Sequence, residues 1–242
     1  MLRVLDLFSG IGGFSLGLER TGGFRTVAFC EIEPYCRAVL RKHWPAIPCY
    51  VDIRQLTGKC LRTDGIAADV ICGGFPCQNI SIVGDGAGLA GKHSRLWVEF
   101  FRLLCELRPQ YAIVENVSAV CTRGLGEMVG QLSHVGYDAE WEGIPAAAIG
   151  AIHLRARQWI LAYPISIGDK LQESTILPRR ISVEHSDWWA TEPDICRVAN
   201  GIPNRVDRLR SLGNAVVPQV VEIIGRAILA AESCSNAPGP VR

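Results

Sequence analysis

The sequence lacks three features that would place it in a class at once: paired cysteines, a strong net charge and a long apolar run. No two of its ten cysteines have CxxC spacing, which argues against a structural zinc site and predicts no bound metal. The formal net charge is only +1, so any contact with nucleic acid must come from local patches. The most apolar late stretch, 216–231, is interrupted by Glu222 and Arg226 and is therefore not expected to span a membrane.

The N-terminus has too short an apolar run for a signal peptide, and we expect a cytoplasmic protein with reduced, buried thiols. Internal repeats and low-complexity tracts are also missing. What the sequence does contain is a hydrophobic fraction of 48% with 20% charged residues, which suits a packed globular protein. Its 242 residues fit one catalytic domain with a small additional lobe.

Strand and helix patterns alternate along most of the chain. An α/β fold with a mostly parallel sheet is therefore expected, because parallel strands need helical crossovers of this length. The predicted strands are 2–8, 26–30, 47–51, 69–72, 111–114, 137–141 and 159–162. The predicted helices are 13–20, 34–43, 96–107, 125–135 and 216–231.

The alternation fails between about Pro164 and Arg205, where no clear period is present. This stretch is interpreted as an inserted lobe or a long functional loop. The predicted organisation is a catalytic and cofactor-binding domain over 1–163, a short recognition lobe over 164–200, a returning segment over 201–232 and a tail over 233–242.

Three successive predicted strands end in residues that suit an adenosine-containing ligand. In open α/β sheets, ligands bind outside the carboxyl ends of the strands. A glycine-rich turn follows the first strand, an acidic residue able to accept from ribose hydroxyls ends the second, and a carboxylate with an apolar neighbour ends the third. Taken singly, each has a plain alternative as a tight turn or a solvated strand end. The residues are Gly10, Gly12, Gly13, Glu31, Asp52 and Ile53.

The glycine turn is not the dinucleotide fingerprint, because GxGxxG from Gly10 would need glycine where Ser15 stands. The fourth strand ends in GGFPCQ, which places Cys77 after a prolyl turn at a strand's carboxyl end. A thiol there is a candidate nucleophile. The fifth strand ends at Glu115, and neighbouring strand ends face one crevice, so the two side chains should lie close together.

A pair of arginines precedes the last predicted strand. In extended conformation, His153, Arg155 and Arg157 would point to one face. Two guanidinium groups on one face could hold a substrate oxygen and favour a thiolate. The alternative is a solvated edge.

These elements together resemble the cytosine-5 DNA methyltransferase family, over about 3–163 and 200–232 and in the family's order. Pro-Cys-Gln and Glu-Asn-Val combined with a C-terminal Gly-Asn-x-Val-x-Pro are very specific. The matching elements are DLFSGIGGF, Glu31, Asp52-Ile53, GGFPCQ, ENV, RxR and GNAVVP.

The resemblance implies a Rossmann-like methyltransferase fold with helices on both faces of a twisted sheet, and S-adenosylmethionine as the cofactor. By residue, it implies a nucleophile at Cys77, a contact to cytosine N3 at Glu115, and paired arginines around the target base at Arg155 and Arg157. It implies cofactor contacts at Phe8, Gly10, Gly12, Gly13, Glu31, Ile32, Asp52, Ile53, Pro76, Leu96 and Asn214.

The implied substrate is a cytosine flipped out of double-stranded DNA. The glycine-rich loop 78–94 is expected to close over it, and basic residues beside it and in the lobe are candidate phosphate contacts. An ordinary small lobe and a solvated basic surface remain open alternatives. The candidate DNA-binding residues are Gln78, Ser81, Lys92, Arg95, Arg179, Arg180 and Arg205.

Two departures from the family pattern are visible. His153 stands where the family usually has glutamine, and the recognition region is much shorter than usual. The short region predicts weak or short-site recognition, or help from a partner such as a cognate restriction endonuclease or another accessory protein. The same chemistry on tRNA and a non-catalytic DNA-binding module are the competing interpretations.

Overall fold

A computed structural model describes residues 1–75, 95–151, 153–171, 175–178 and 205–235. Its strands are β1 Leu2–Leu7, β2 Phe24–Cys30, β3 Cys49–Tyr50, β4 Val70–Gly73, β5 Tyr111–Val117, β6 Tyr137–Gly143 and β7 Arg157–Pro164. Its α-helices are α1 Gly13–Arg20, α2 Pro34–His43, α3 Gly58–Thr63, α4 Arg95–Leu107, α5 Val120–Arg123, α6 Leu125–His134, α7 Ile165–Leu171, α8 Arg205–Asn214 and α9 Pro218–Ser235. A 3-10 helix covers Ala146–Ile149.

The strands form one sheet in the order β3-β2-β1-β4-β5-β7-β6. The pairs among β1 to β5 are parallel, and β7 runs antiparallel to both β5 and β6. The predicted α/β fold with a mostly parallel sheet is therefore confirmed. The strand order reverses at β1, which has β2 on one side and β4 on the other, and such a switch point opens a crevice at the carboxyl ends of the strands.

Side chains alternate between two apolar cores because successive strand residues face opposite sides of the sheet. On β1, Leu5 and Leu7 belong to one core and Val4 to the other. The first core includes the buried faces of α4 and α6, with Trp97 at its centre. The second includes α1 and α9, where Val221 is fully buried. Helices thus cover both faces of the sheet.

The stretch predicted to lack periodic structure begins with helix α7, so that expectation is wrong at its first end. A further helix, α8, starts where the stretch ends and was not predicted. Helix α7 begins directly after β7 and packs on β6 and β7. Helix α8 begins at Arg205 and has few buried apolar residues, which explains why its sequence carries no clear helical period. The short helices α3 and α5 were also not predicted, because four to six residues cannot show a period.

One helical stretch, Val206–Ser233, is long and apolar enough to cross a membrane by composition alone. It comprises α8 and α9, and α9 packs against α1. In α9, Val220, Val221, Ile224 and Ile228 are buried in the second core. In all, 28% of the apolar window is buried inside the protein, so packing on the core accounts for one face of α9.

A carboxylate of β6 holds the chain after α7 against the sheet. Glu140 accepts hydrogen bonds from the Tyr163 hydroxyl at 2.6 Å, from Ile176 N at 2.9 Å and from Leu177 N at 2.8 Å. The side chains of Ile176 and Leu177 are buried in the second core. The first part of the predicted recognition lobe is therefore packed on the catalytic sheet.

Candidate active site

A cavity of about 670 Å³ lies at the carboxyl ends of the parallel strands. This volume falls within the range of about 300–1,000 Å³ usual for small-molecule sites. Most of the predicted cofactor residues and three of the predicted catalytic residues line it. They are Phe8, Gly10, Glu31, Ile32, Asp52, Ile53, Leu96, Glu115, Arg155, Arg157 and Asn214.

Glu31 follows β2 directly, and its carboxylate is fixed by backbone donors. Gly10 N donates to Oε2 at 2.7 Å and Glu33 N donates to Oε1 at 2.8 Å. The residue is only 7% exposed. Because each carboxylate oxygen has about two lone pairs, both oxygens can still accept from ligand hydroxyls. This arrangement fits the ribose role predicted for Glu31.

Asp52 and Ile53 form a neighbouring wall of the cavity, two residues beyond β3. Arg54 donates from Nε to Asp52 Oδ1 at 2.9 Å. Hydrogen bonding by Arg54 lowers the pKa of the Asp52 carboxyl, which is therefore ionised near neutral pH. Ile53 is 4% exposed and offers an apolar surface. A carboxylate beside an apolar side chain fits the predicted adenine contact.

The glycine turn contributes to the cavity only through its first member, Gly10. Gly12 has φ +88, and a Cβ there would lie 2.7 Å from the Trp44 ring. A Cβ at Gly13 would lie 2.7 Å from the Val216 carbonyl oxygen. Neither residue is among those lining the cavity. Close packing of the turn against α2 and the α8–α9 junction requires glycine at both positions, and their contact with the cofactor stays a prediction.

A buried carboxyl beneath this turn holds the start of α1. Asp6 is fully buried on β1, and its Oδ2 accepts from Ser15 N at 3.3 Å and from Ser15 Oγ at 2.7 Å. Burial raises the pKa of Asp6 to about 7. The nearby Glu31 and Glu19 carboxylates act in the same direction. Asp6 was not among the predicted site residues, although it belongs to the DLFSGIGGF element.

Asp6 makes folding stability depend on pH. The unfolded chain releases the Asp6 proton near pH 4, whereas the folded chain keeps it to about pH 7. The contribution of this group to the free energy of unfolding is therefore lost as pH rises between those values. Asp6→Asn removes it. We expect the variant to gain about 2 to 3 kcal/mol relative to the wild type between pH 5 and pH 8. Urea denaturation at several pH values measures this, with the exposed Asp138→Asn as the control; a constant difference between Asp6→Asn and wild type would contradict it.

The centre of the site is Glu115, which lies inside β5 rather than at its end. The prediction ended this strand at Val114, but pairing with β7 continues through Val117↔Arg157. Arg157 donates from Nε to Glu115 Oε1 at 3.0 Å. Glu115 is 8% exposed. Burial raises the pKa of its carboxyl, and the charges of Arg157 and Arg155 oppose that rise.

The structure also brings the end of β4 against Glu115. A Cβ placed on Gly74 would lie 3.0 Å from Glu115 Oε2. The chain three residues before Cys77 is thus in contact with the carboxylate. Asn116 strengthens this approach, since its Nδ2 donates to the Phe75 carbonyl at 3.4 Å. The ends of β4 and β5 therefore share one crevice, and the closeness of Cys77 to Glu115 stays a prediction because Cys77 lies outside the described residues.

Arg155 reaches the site in a different way from the one expected. Its φ is +32 and β7 begins only at Arg157, so 153–157 is not a continuous extended run. Arg155 donates from Nη1 to the Gly213 carbonyl at 2.9 Å and from Nη2 to the Ala215 carbonyl at 2.6 Å. These bonds hold the α8–α9 junction at the cavity. Asn214 lies between the two acceptors, which explains its place in the lining.

Several residues that line the cavity were not predicted from the sequence to do so. Arg210 of α8 lines the cavity and pairs with Glu33 at 3.1 Å. The Cys36 thiol lies 3.4 Å from the Ser211 hydroxyl. Helix α8 was not predicted, and its contribution to the cavity was therefore not predicted either.

The other predicted site residues cannot be placed by geometry. Seven of them lie outside the described residues, namely Pro76, Cys77, Gln78, Ser81, Lys92, Arg179 and Arg180. Arg95 and Arg205 begin α4 and α8, but their side chains are outside the described part of the structure. Within that part, no group of three or more His, Cys, Asp or Glu side chains could hold a metal ion.

Comparison with known proteins supplies the family. Residues 2–194 match the model of the C-5 cytosine-specific DNA methylases. The chain belongs to this family. The match includes every strand of the sheet and all of the predicted catalytic residues.

Individual relatives agree with this membership. The Type II methyltransferase M.CviJI of Paramecium bursaria Chlorella virus IL3A is 31% identical over 90% of this chain and 57% of its own length. M.Sau3AI of Staphylococcus aureus is 31% identical over 86% of this chain and 53% of its own. M2.BsuMI of Bacillus subtilis is 32% identical over 66% of this chain and 42% of its own length. The chain thus spans about half the length of these relatives.

Solved structures share the fold. A putative DNA modification methyltransferase encoded within a prophage in E. coli is 25% identical, with a TM-score of 0.60 over 81% of this chain and 56% of its own. The Entamoeba histolytica methyltransferase EhMeth is 15% identical, with a TM-score of 0.70 over 95% of this chain and 98% of its own. The Rossmann-like methyltransferase fold implied by the resemblance is therefore confirmed.

Proposed function

We propose that this family member is an S-adenosylmethionine-dependent DNA (cytosine-5)-methyltransferase that acts through Cys77. The observation that carries the proposal is the buried Glu115 carboxyl with Arg157 at 3.0 Å, in the same cavity as Glu31 and Asp52. An acid for the base and a set of adenosine contacts therefore share one crevice.

The residues present fit the cofactor. The cavity has space for it, with oriented carboxylate oxygens on Glu31 and an ionised carboxylate beside an apolar wall at Asp52 and Ile53. Glu31 would hold the ribose, Asp52 and Ile53 the adenine, and Asn214 would close the side formed by the α8–α9 junction. When bound, S-adenosylmethionine supplies an electrophilic methyl group on a sulfonium.

Glu31→Ala should weaken binding of S-adenosylhomocysteine by about 5- to 150-fold, or about 1–3 kcal/mol for hydrogen bonds to a carboxylate. The variant loses the ribose acceptor and also the partner of Gly10 N. Calorimetry without DNA measures the dissociation constant. Glu222→Ala is the matched control, because its carboxylate pairs with Arg226 on α9 outside the cavity lining. Equal affinity of Glu31→Ala and wild type would remove Glu31 from the ribose role.

The proposed work of the protein is to activate cytosine C5, which is a poor nucleophile. The Cys77 thiolate adds to C6 while the Glu115 carboxyl donates its proton to N3, and C5 gains electron density to accept a methyl group. Loss of the C5 proton to water, expulsion of the Cys77 thiolate and return of the N3 proton to the Glu115 carboxylate then restore the aromatic ring. A raised pKa suits Glu115 to this task because it keeps the carboxyl protonated to higher pH.

Access to C6 requires the base to leave the duplex. We propose that Gln78, Ser81, Lys92 and Arg95 contact the flipped nucleotide and its neighbours, and that Arg179, Arg180 and Arg205 contact the phosphate backbone. Double-stranded DNA is the proposed substrate, the cytoplasm the proposed location, and restriction-modification the proposed setting, with an endonuclease or accessory protein as a candidate partner. The similarity to Type II methyltransferases supports that setting.

The deciding experiment is transfer of a radiolabelled methyl group to unmethylated duplex DNA and, in parallel, to tRNA. A duplex containing 5-fluorocytosine is included because the fluorine cannot leave as a proton does, so a covalent adduct with the protein is trapped. We expect label in DNA and a trapped adduct. Label in tRNA alone would establish the RNA alternative. Cofactor binding without label in either substrate would favour the non-catalytic binding module.

A further inference from the structure

One wall of the cavity is built from a segment without sheet support. Between Asp52 and Gly58 the chain turns tightly, with the Asp52 carbonyl accepting from Gln55 N at 3.0 Å and Leu56 N at 3.1 Å. The side chains of Ile53 and Leu56 are buried, at 4% and 2% exposure. The Ile53 carbonyl accepts from Leu56 N at 3.2 Å, and the remaining hydrogen-bonding capacity of such a segment needs partners from elsewhere in the protein.

Those partners come from α4. Arg102 donates from Nη2 to the Ile53 carbonyl at 3.0 Å and to the Leu56 carbonyl at 2.7 Å. Its other donors are occupied within the helix, with Nε on Glu99 at 2.8 Å and Nη1 on Glu106 at 2.7 Å. The two carboxylates orient the planar guanidinium, so its remaining edge points at the segment. A lysine has no comparable fork of donors.

The same helix holds the far end of the segment. Glu106 accepts from Gly58 N at 2.6 Å through Oε2, while its Oε1 accepts from Arg102. Gly58 is the first residue of α3, where N–H groups lack partners within the helix. Arg102 and Glu106 together satisfy backbone groups at three points between Ile53 and Gly58. The shape of this wall therefore depends on contacts with residues 46 to 49 positions away in sequence.

We propose that Arg102 is a positioning residue for the cofactor, holding residues 53–58 in the shape that presents Asp52 and Ile53 to the adenine. The inference rests on the proposed function, because it assumes that this wall receives adenine. Leu96, also on α4, lines the same cavity, so one helix fixes two of its walls. Without Arg102 the segment must be ordered when the ligand binds, and that cost weakens affinity.

The test measures binding rather than turnover. Calorimetry without DNA determines the dissociation constants of S-adenosylhomocysteine and of 5′-methylthioadenosine, which keeps the adenine and ribose but lacks the amino acid. We expect Arg102→Ala to weaken both ligands by the same factor, about 5- to 50-fold, and Arg102→Lys to weaken them less. Hydrogen exchange of the Gln55, Leu56 and Gly58 amides should quicken in Arg102→Ala before any ligand is added.

The matched control is Arg226→Ala on α9, which breaks an Arg–Glu pair of the same 2.7 Å length outside the cavity lining. It should leave both dissociation constants unchanged. Wild-type affinity in Arg102→Ala and Arg102→Lys, or an equal loss in Arg226→Ala, would overturn the inference. So would a loss confined to S-adenosylhomocysteine, since the adenine wall would then not be responsible. Failure of the wild type to bind either ligand would instead overturn the proposed function, and this inference with it.

Discussion

Glu115→Gln is expected to lower the rate of methyl transfer by about 10²- to 10⁴-fold while cofactor affinity stays near that of the wild type. Glutamine fills the same space and can still donate a hydrogen bond from its amide, but it cannot transfer a proton to cytosine N3. The residue lies on β5, away from Glu31 and Asp52 on the cofactor side of the cavity, so binding of S-adenosylhomocysteine should persist. Single-turnover transfer of labelled methyl groups to duplex DNA measures the rate.

The pH profile separates an acid from a merely structural residue. Burial raises the pKa of Glu115, so its protonated form persists to higher pH and is then lost, and the rate should decline on the alkaline side for that reason. In Glu115→Gln this decline should vanish, while the rise caused by Cys77 ionisation remains. Glu127→Gln on α6 is exposed and serves as control. A Glu115→Gln rate within about threefold of wild type, with the alkaline decline intact, would remove proton donation from the mechanism.

Local patterns in the sequence predicted the strands and the longer helices of the parallel half of the molecule. Helices α1 and α2 have the predicted bounds, because their apolar spacing and the proline at the start of α2 are local signals. The acidic residue that follows β2 was placed correctly for the same reason. A parallel strand buried on both faces is a continuous apolar run, and its end is visible where a polar residue follows.

The arrangement around Glu115 could not be predicted in this way. Its surroundings depend on β7, an antiparallel strand whose pairing carries β5 three residues beyond the predicted end. That pairing brings Arg157 to the carboxylate, whereas the sequence suggested only that Arg155 and Arg157 share a face. The positive φ of Arg155 and its bonds to Gly213 and Ala215 are long-range outcomes of packing, and no local period reveals them.

Arg102 shows the same limit of prediction from local sequence, here for a residue whose helix was predicted. Its place on α4 was predicted, but nothing in the helix distinguishes it from an ordinary surface arginine with acidic neighbours at i−3 and i+4. Only the fold brings the carbonyls of Ile53 and Leu56 within reach of its guanidinium. Motifs in this sequence therefore predict residues that touch ligands, and the structure identifies side chains that hold the neighbouring backbone in place.

Cys77→Ser should reduce methyl transfer by at least about 10³-fold and eliminate the adduct with 5-fluorocytosine DNA. A serine hydroxyl is scarcely ionised at neutral pH and adds far more slowly to C6 than a thiolate does. Cys77 lies three residues beyond Gly74, a distance of at most about 10 Å along an extended chain. Because Gly74 contacts Glu115, this length of chain allows the proposed nucleophile to reach a base that Glu115 is proposed to protonate. Rate and adduct are measured on the same DNA.

A second thiol near the site provides the control that makes this prediction specific. The Cys121 thiol is exposed and donates to Gln158 Oε1 at 3.1 Å, and Gln158 pairs with Asn116, next to Glu115. Cys121→Ser should keep both the wild-type rate and the adduct. If Cys77→Ser kept them and Cys121→Ser lost them, the nucleophile would be Cys121. Loss in Cys77→Ser alone, with S-adenosylhomocysteine still bound, assigns the covalent step to Cys77 and leaves Glu115 and Arg157 to act on the base it attacks.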